Sequence, residues 1–236
     1  MPNSIIAFDL DGTLVDTAPD LIATLNTVFA EKGVPEVAFE SARDMIGGGV
    51  KVLLERGLSA RGLVVTTDEL DDLYADYVQR YADHIADRSR PFPGLEAALD
   101  DLAALGYRFA VCTNKLEWLS VRLLDALGLS ARFEAICGQD TFGIQKPDPE
   151  MLRRTVIKAG GDPARALMVG DSATDVNTAR AAGLPVVAVD FGYTEIPVPL
   201  LQPDRIISHF EALPAAVSEL LPIQRPEAIA QPGASA

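Results

Sequence analysis

No apolar run in this chain is long enough to cross a bilayer, and cysteine, histidine and tryptophan are nearly absent. The N-terminus "MPNSIIAFDLDG" has no basic stretch, no long apolar segment and no small-residue cleavage site, so it does not read as a secretory signal. The only two cysteines, Cys112 and Cys137, each sit in a strand-like apolar run and read as buried free thiols rather than a disulfide. Basic residues are also scarce: 20 Lys and Arg stand against 34 Asp and Glu, a formal net charge of −14. Without a basic patch the surface excludes nucleic acid and anionic lipid as partners. These absences describe a soluble chain, expected in the cytoplasm. They also mean that an anionic substrate would need a local device to attract it, such as a metal or a placed lysine.

The 236 residues are 48% hydrophobic and 23% charged, enough to bury a core in one large domain or a main domain carrying a smaller one. Runs at 5–8, 108–113, 166–170, 185–190 and 205–208 are almost continuously apolar, as strands buried on both faces require. Helix-period segments such as "GLEAALDDLAALG" and "DPEMLRRTVIKAG" lie between them. This alternation predicts an α/β fold, a doubly wound parallel sheet. One interval breaks it. Between about Thr17 and Ser89 only helical patterns occur, so 17–89 reads as an all-helical cap inserted after the first strand. The core is then 1–16 plus 90–221, with "RPFPG" (90–94) as the returning linker and a disordered tail over 222–236.

Chemistry gathers at four places. The first strand ends in "DLDGT", where side chains two apart on a strand share a face, so Asp9 and Asp11 are expected to look into one site. Thr113 and Asn114 follow the second strand and precede a helix, a ready place for an anion. Lys146 in "GIQKPDPEML" is held on a loop stiffened by Pro147 and Pro149. Asp171 ends another strand in "GDSATD", and Asp175 lies four residues on, across a helix start. Each place alone also reads as ordinary structure: a DG turn, an N-cap, a solvated lysine, a capped helix. Together they differ, because strand ends in such a fold converge on one sheet edge. Acids, hydroxyl and lysine are what hold Mg²⁺ against a phosphate.

"DLDGTLVDT", "TN", "KP" and "GDSATD", in this order, resemble the four motifs of the haloacid dehalogenase superfamily, in its aspartyl-phosphate phosphatase branch. The resemblance covers all but the tail and implies a Rossmann-like core with a helical cap. It implies Asp9 as nucleophile, and Asp11 as the acid and then base that serves leaving group and water. Mg²⁺ would be held by Asp9, the Asp11 main-chain carbonyl and Asp171, with Asp175 orienting its water ligands. Thr113 and Asn114 would hold the phosphoryl oxygens, and Lys146 would offset charge on nucleophile and phosphate. An acid at position 11 points to phosphate chemistry and away from dehalogenation, because a halide leaving group needs no proton.

Within the superfamily, "IIAFDLDGTLVDTAPDL", "IGGGVKVLLERGL" and "VCTNK" look most like the group that hydrolyses 2-phosphoglycolate, although Leu116 replaces its usual proline. The expected partner is thus a small phosphorylated metabolite, and the chain is expected to be a monomer or homodimer. In the cap, Gly48 within "DMIGGGV" and Arg43 beside it are candidates for reading the substrate carboxylate, or else a glycine hinge with Arg43 in solvent. A sugar phosphomutase of the β-phosphoglucomutase type, a broad sugar phosphatase and a receiver-like phosphorylation module are the alternatives. His84 and His209 fall outside the motifs, Trp118 reads as packing on the sheet, and "DELDD" (68–72) as a solvated helix face.

Overall fold

The computed structural model describes residues 3–223. Its centre is a six-stranded, all-parallel sheet in the order β5-β4-β1-β6-β7-β8. The strands are β1 (Asn3–Phe8), β4 (Arg108–Cys112), β5 (Ala135–Cys137), β6 (Gly161–Gly170), β7 (Val186–Val189) and β8 (Arg205–Ile207). A separate antiparallel pair, β2 (Val15–Asp16) and β3 (Arg90–Pro91), lies off the sheet.

Strand alternation divides the core in two. Ile6 and Phe8 of β1 join Phe109, Val111, Leu167, Val169 and Val187 in one buried cluster. Ile5 and Ala7 join Ala110, Cys112, Ala166 and Met168 in the other. Both faces are covered by helices, which is why the strands lack the polar alternation of a half-exposed sheet. The first face is covered by α5 (Leu95–Ala104), α6 (Glu117–Ala126) and α10 (Leu213–Leu220). Against the second pack α7 (Pro149–Lys158) and α8 (Ala173–Ala182). The short α9 (Val198–Leu201) follows the loop after β7. Cys112 and Cys137 are register partners on β4 and β5, both buried and unbridged, and burial pushes the Cys112 thiol up to about 12. They are inert at neutral pH.

Between β2 and β3 the chain is helical: α1 (Ala18–Glu31), α2 (Phe39–Arg43), α3 (Val50–Ser59) and α4 (Thr67–Asp83). Leu21, Leu25 and Phe29 pack with Leu54, Tyr77 and Tyr81, and the Tyr77 hydroxyl donates to the Leu21 carbonyl at 2.9 Å. The exposed face of α4 carries Asp68, Asp71 and Asp72, and a capping box between Thr66 and Glu69 starts the helix. No helix among the described residues is long and apolar enough to cross a membrane.

The structure departs from the sequence reading in several places. "RPFPG" is not a plain linker, because Arg90 and Pro91 pair with Asp16 and Val15 where the two chain crossings run side by side. A two-residue strand has no periodicity to detect. Trp118 is 45% exposed, since α6 turns Leu119, Leu123 and Leu124 inward and leaves its neighbour outside. The chain also stays packed past residue 221: the Tyr107 hydroxyl donates to the Leu221 carbonyl at 2.6 Å, and Ile223 is partly buried. The rest of the expected tail, 224–236, lies outside the described residues.

Candidate active site

Three adjacent strands, β4, β1 and β6, end side by side, and each is followed at once by a polar residue: Thr113, Asp9 and Asp171. The Asp9 amide donates to the Val169 carbonyl at 2.9 Å, which ties the end of β1 to β6. Lys146 enters from the loop before α7, and its Nζ lies 2.8 Å from Asp9 Oδ1 and 2.6 Å from Asp175 Oδ1. It is buried rather than displayed, and the Lys146–Pro147 peptide is cis. The second oxygen of Asp175 accepts from the Asp171 amide at 3.2 Å, the Ser172 amide at 3.1 Å and the Ser172 hydroxyl at 2.8 Å. Asp171 accepts from the Thr13 hydroxyl at 3.3 Å and from the Tyr193 amide at 2.5 Å.

Asp9, Asp171 and Asp175 each offer a carboxylate oxygen within 4.8 Å of the others, all three buried. One ammonium does not balance three carboxylates. Burial, with the neighbouring acids adding to it, pushes Asp9 up to about 6 and Asp171 well above the usual carboxylate range. For Lys146 burial works against the charge, but Asp175 and Asp9 outweigh it and hold the ammonium protonated. Asp9 Oδ1 is buried and has no hydrogen-bond donor among the described residues, the Lys146 ammonium lying beside it off the hydrogen-bond line. Three buried carboxylates balanced by a single ammonium suit a hard divalent cation. The donor set therefore fits Mg²⁺.

Asp11 does not join this cluster. Its carboxylate accepts from the Thr17 hydroxyl at 2.8 Å and pairs with Lys115 Nζ at 2.8 and 3.1 Å. It nonetheless lines the same cavity as Asp9, its carboxylate set to one side of the cluster because β1 stops at Phe8 and the chain turns at Gly12, whose φ is +85°. A side chain at Gly12 would collide with the Asp171 carboxylate and the Tyr193 ring. Asn114 also differs from expectation. Its amide clasps the lysine loop, donating to the Lys146 carbonyl at 3.1 Å and accepting from the Lys146 amide at 2.8 Å, while the residue also lines the cavity over Asp9. The Thr113 hydroxyl accepts from the Lys115 amide at 3.2 Å.

The cap candidates are placed elsewhere. Arg43 donates to the carbonyls of Phe191 and Gly192 at 3.1 and 3.0 Å, its guanidinium 5.2 Å from the Tyr193 ring centre. It thus ties the helical insert to a core loop through one of its terminal nitrogens. Gly48 lines a groove with Tyr74 and Gln145, whereas Gly47 and Gly49 line the cavity over Asp9. That cavity, about 30 Å³, is also walled by Asp11, Thr113, Asn114 and Lys115 below and by Leu21, Ile46, Val50 and Leu53 above.

Lys115, Tyr193 and Thr17 are the site residues that motif reading missed. Lys115 had one available signal, its place directly after Thr113 and Asn114. Tyr193 had none: its hydroxyl donates to Asp16 and accepts from the Ala18 amide at 3.0 Å, contacts that exist only once β7 lies near the start of α1.

Parallel sheet, strand-end acids and buried lysine define a hydrolase of the haloacid dehalogenase type. The family model described as haloacid dehalogenase-like hydrolase matches residues 6–189, and the chain belongs to that family. Among curated relatives, the phosphoglycolate phosphatase of Mesorhizobium japonicum is 48% identical over 94% of this chain and 97% of its own length. That of Caulobacter vibrioides is 47% identical over 92% and 91%. Among solved structures, a predicted phosphoglycolate phosphatase from Haemophilus somnus 129PT superposes with a TM-score of 0.84 at 30% identity, covering 91% of this chain and 98% of that one.

Proposed function

We propose that the protein hydrolyses 2-phosphoglycolate to glycolate and phosphate through an aspartyl-phosphate on Asp9. The observation that carries this is the division of labour between two nearby acids. Asp9 lies in the cation-seeking cluster beside Lys146, while Asp11 is held apart by Thr17 and Lys115. Two curated relatives bearing that activity's name, each matched over more than nine-tenths of its length, support the substrate.

In the first step an Asp9 oxygen bonds to phosphorus, the P–O ester bond breaks, and Asp11 gives its proton to the departing alkoxide. In the second, Asp11 takes a proton from water as that water attacks phosphorus, which releases phosphate and restores Asp9. Lys146 offsets negative charge on the nucleophile throughout. Mg²⁺ would be held by Asp9 and Asp171, where it would neutralise the phosphoryl group. Asp175 has both oxygens engaged by Lys146 and the 171–172 segment, so it serves the cluster by fixing those two partners. Spontaneous phosphate-monoester hydrolysis needs accelerations approaching ~10²¹-fold, which no single group supplies.

A panel of phosphate monoesters compared by kcat/KM tests the substrate, with 2-phosphoglycolate expected first. Preference for a hexose phosphate, or transfer of phosphate between sugar positions without release, would refute it. Trapping phosphate on Asp9 after acid quench tests the intermediate.

A further inference from the structure

The cavity has a charge pattern that phosphoryl chemistry alone does not use. Among the described residues Lys115 is the only positively charged side chain on its wall, and that side chain is 3% exposed. The other two cations near the site are engaged elsewhere: Lys146 with Asp9 and Asp175, Arg43 with the Phe191 and Gly192 carbonyls. The ammonium of Lys115 lies 4.5 Å from the ring centre of Tyr81 on the helical insert and 2.8 Å from Asp11. It therefore stands where the insert meets the acid that serves the leaving group.

Substrate bonding places a second anion at the same point. Asp11 must reach the ester oxygen, and in 2-phosphoglycolate one methylene separates that oxygen from the carboxylate carbon. A group in contact with Asp11 is thus within reach of the carboxylate. The opposite wall, Leu21, Ile46, Val50 and Leu53, offers no charge, and an unpaired carboxylate is not tolerated against such a surface. We infer that Lys115 is the specificity-determining residue of this enzyme: its ammonium receives the substrate carboxylate while Lys146 and the acidic cluster receive the phosphoryl group. Lys115 is then shared between two carboxylates, that of Asp11 and that of the substrate, which a three-donor ammonium allows. The inference rests on the 2-phosphoglycolate reading above.

The test is the ratio of kcat/KM for 2-phosphoglycolate to that for ethyl phosphate, which has an equally poor leaving group and no carboxylate. Using a ratio cancels any effect of Lys115 on Asp11, because both esters need the acid. In Lys115→Met the ratio should fall about 100-fold, the scale of losing one buried charge-assisted hydrogen bond. Lys115→Arg should restore much of it. Lys115→Gln keeps a donor facing Asp11 and is read alongside in case the methionine variant does not fold; the same fall is expected. An unchanged ratio, both esters declining together, would overturn the assignment and leave Lys115 as a positioning residue for Asp11. A wild-type ratio near one would instead overturn the substrate reading, and the Lys115 inference with it.

Discussion

The Lys146 ammonium lies 2.6 Å from an Asp175 oxygen, and the two side chains are 2% and 0% exposed. Such a pair holds because each partner is fixed by others. Asp175 closes a capping box on α8, and the Lys146 backbone is clasped by Asn114. Removing the lysine leaves Asp9 and Asp175 buried, mutually repelling and unpaired. Lys146→Met should therefore lose about 3–5 kcal/mol of stability in denaturant titration, as breaking buried pairs does. Activity should fall at least ~1,000-fold. Added Mg²⁺ should recover part of the stability and none of the lost activity.

Asp9→Asn separates the two roles of that carboxylate. It removes the nucleophile, so phosphoenzyme and turnover should disappear. It also removes one of three crowded buried charges. In EDTA the variant should consequently melt at or above the wild-type temperature, although most core substitutions destabilise. A clear drop in melting temperature would show that Asp9 stabilises the metal-free fold, against the electrostatics argued here.

The same crowding sets a pH dependence. Asp9 is pushed up to about 6 in the folded protein from 3.8, so between these values the folded state holds a proton that the unfolded state has lost. Stability from this group is then greatest below about pH 4, declines as pH rises towards about 6, and is level above. The difference in melting temperature between Asp9→Asn and wild type in EDTA should be near zero at pH 4 and widen in favour of the variant to pH 7. The scale is about 3 kcal/mol. Saturating Mg²⁺ should shrink the gap at pH 7, because the cation supplies the missing positive charge.

Much of this was legible before any coordinates. Strands buried on both faces announce themselves as apolar runs, and all five of those predicted appear in the sheet. Asp9, Lys146, Asp171 and Asp175 do converge, because strand ends and their loops share one edge. What the sequence concealed depends on contacts between residues far apart in the chain. Asp11 turns to Lys115 because β1 has already ended, and Asn114 turns to the Lys146 backbone, over 30 residues away in the chain. The β2–β3 pair is too short to carry a pattern. Arg43 illustrates a further limit: a basic residue beside glycines suggests a ligand, yet nearby main-chain carbonyls engage it.

Gly12 offers a sharp steric test. Its φ of +85° is strained for any L side chain, and an added methyl meets the Asp171 carboxylate and the Tyr193 ring. Gly12→Ala should displace Asp171, weakening apparent Mg²⁺ affinity at least ~10-fold, read as the Mg²⁺ dependence of melting temperature. At Gly62 the same replacement meets no atom, although its φ is also positive. That variant should cost only the backbone strain, about 1 kcal/mol, and leave the Mg²⁺ dependence alone.

Arg43 and Tyr193 join the helical insert to the acidic cluster. Arg43 holds the Phe191 and Gly192 carbonyls, the Tyr193 amide holds Asp171 at 2.5 Å, and the Tyr193 hydroxyl engages Asp16 and Ala18 where the insert begins. One short loop thus touches the insert twice and a cluster ligand once. Loosening it from the insert side should weaken substrate capture without altering the reacting groups. Arg43→Ala should raise KM about 10-fold, the scale of one to two lost hydrogen bonds, while kcat changes less than about threefold. Tyr193→Phe keeps the amide on Asp171 and loses only the hydroxyl contacts, so it should show the same KM effect with unchanged Mg²⁺ dependence. If Arg43→Ala instead lowered kcat and left KM alone, Arg43 would be acting on the chemical step, and the loop would not be the insert's anchor.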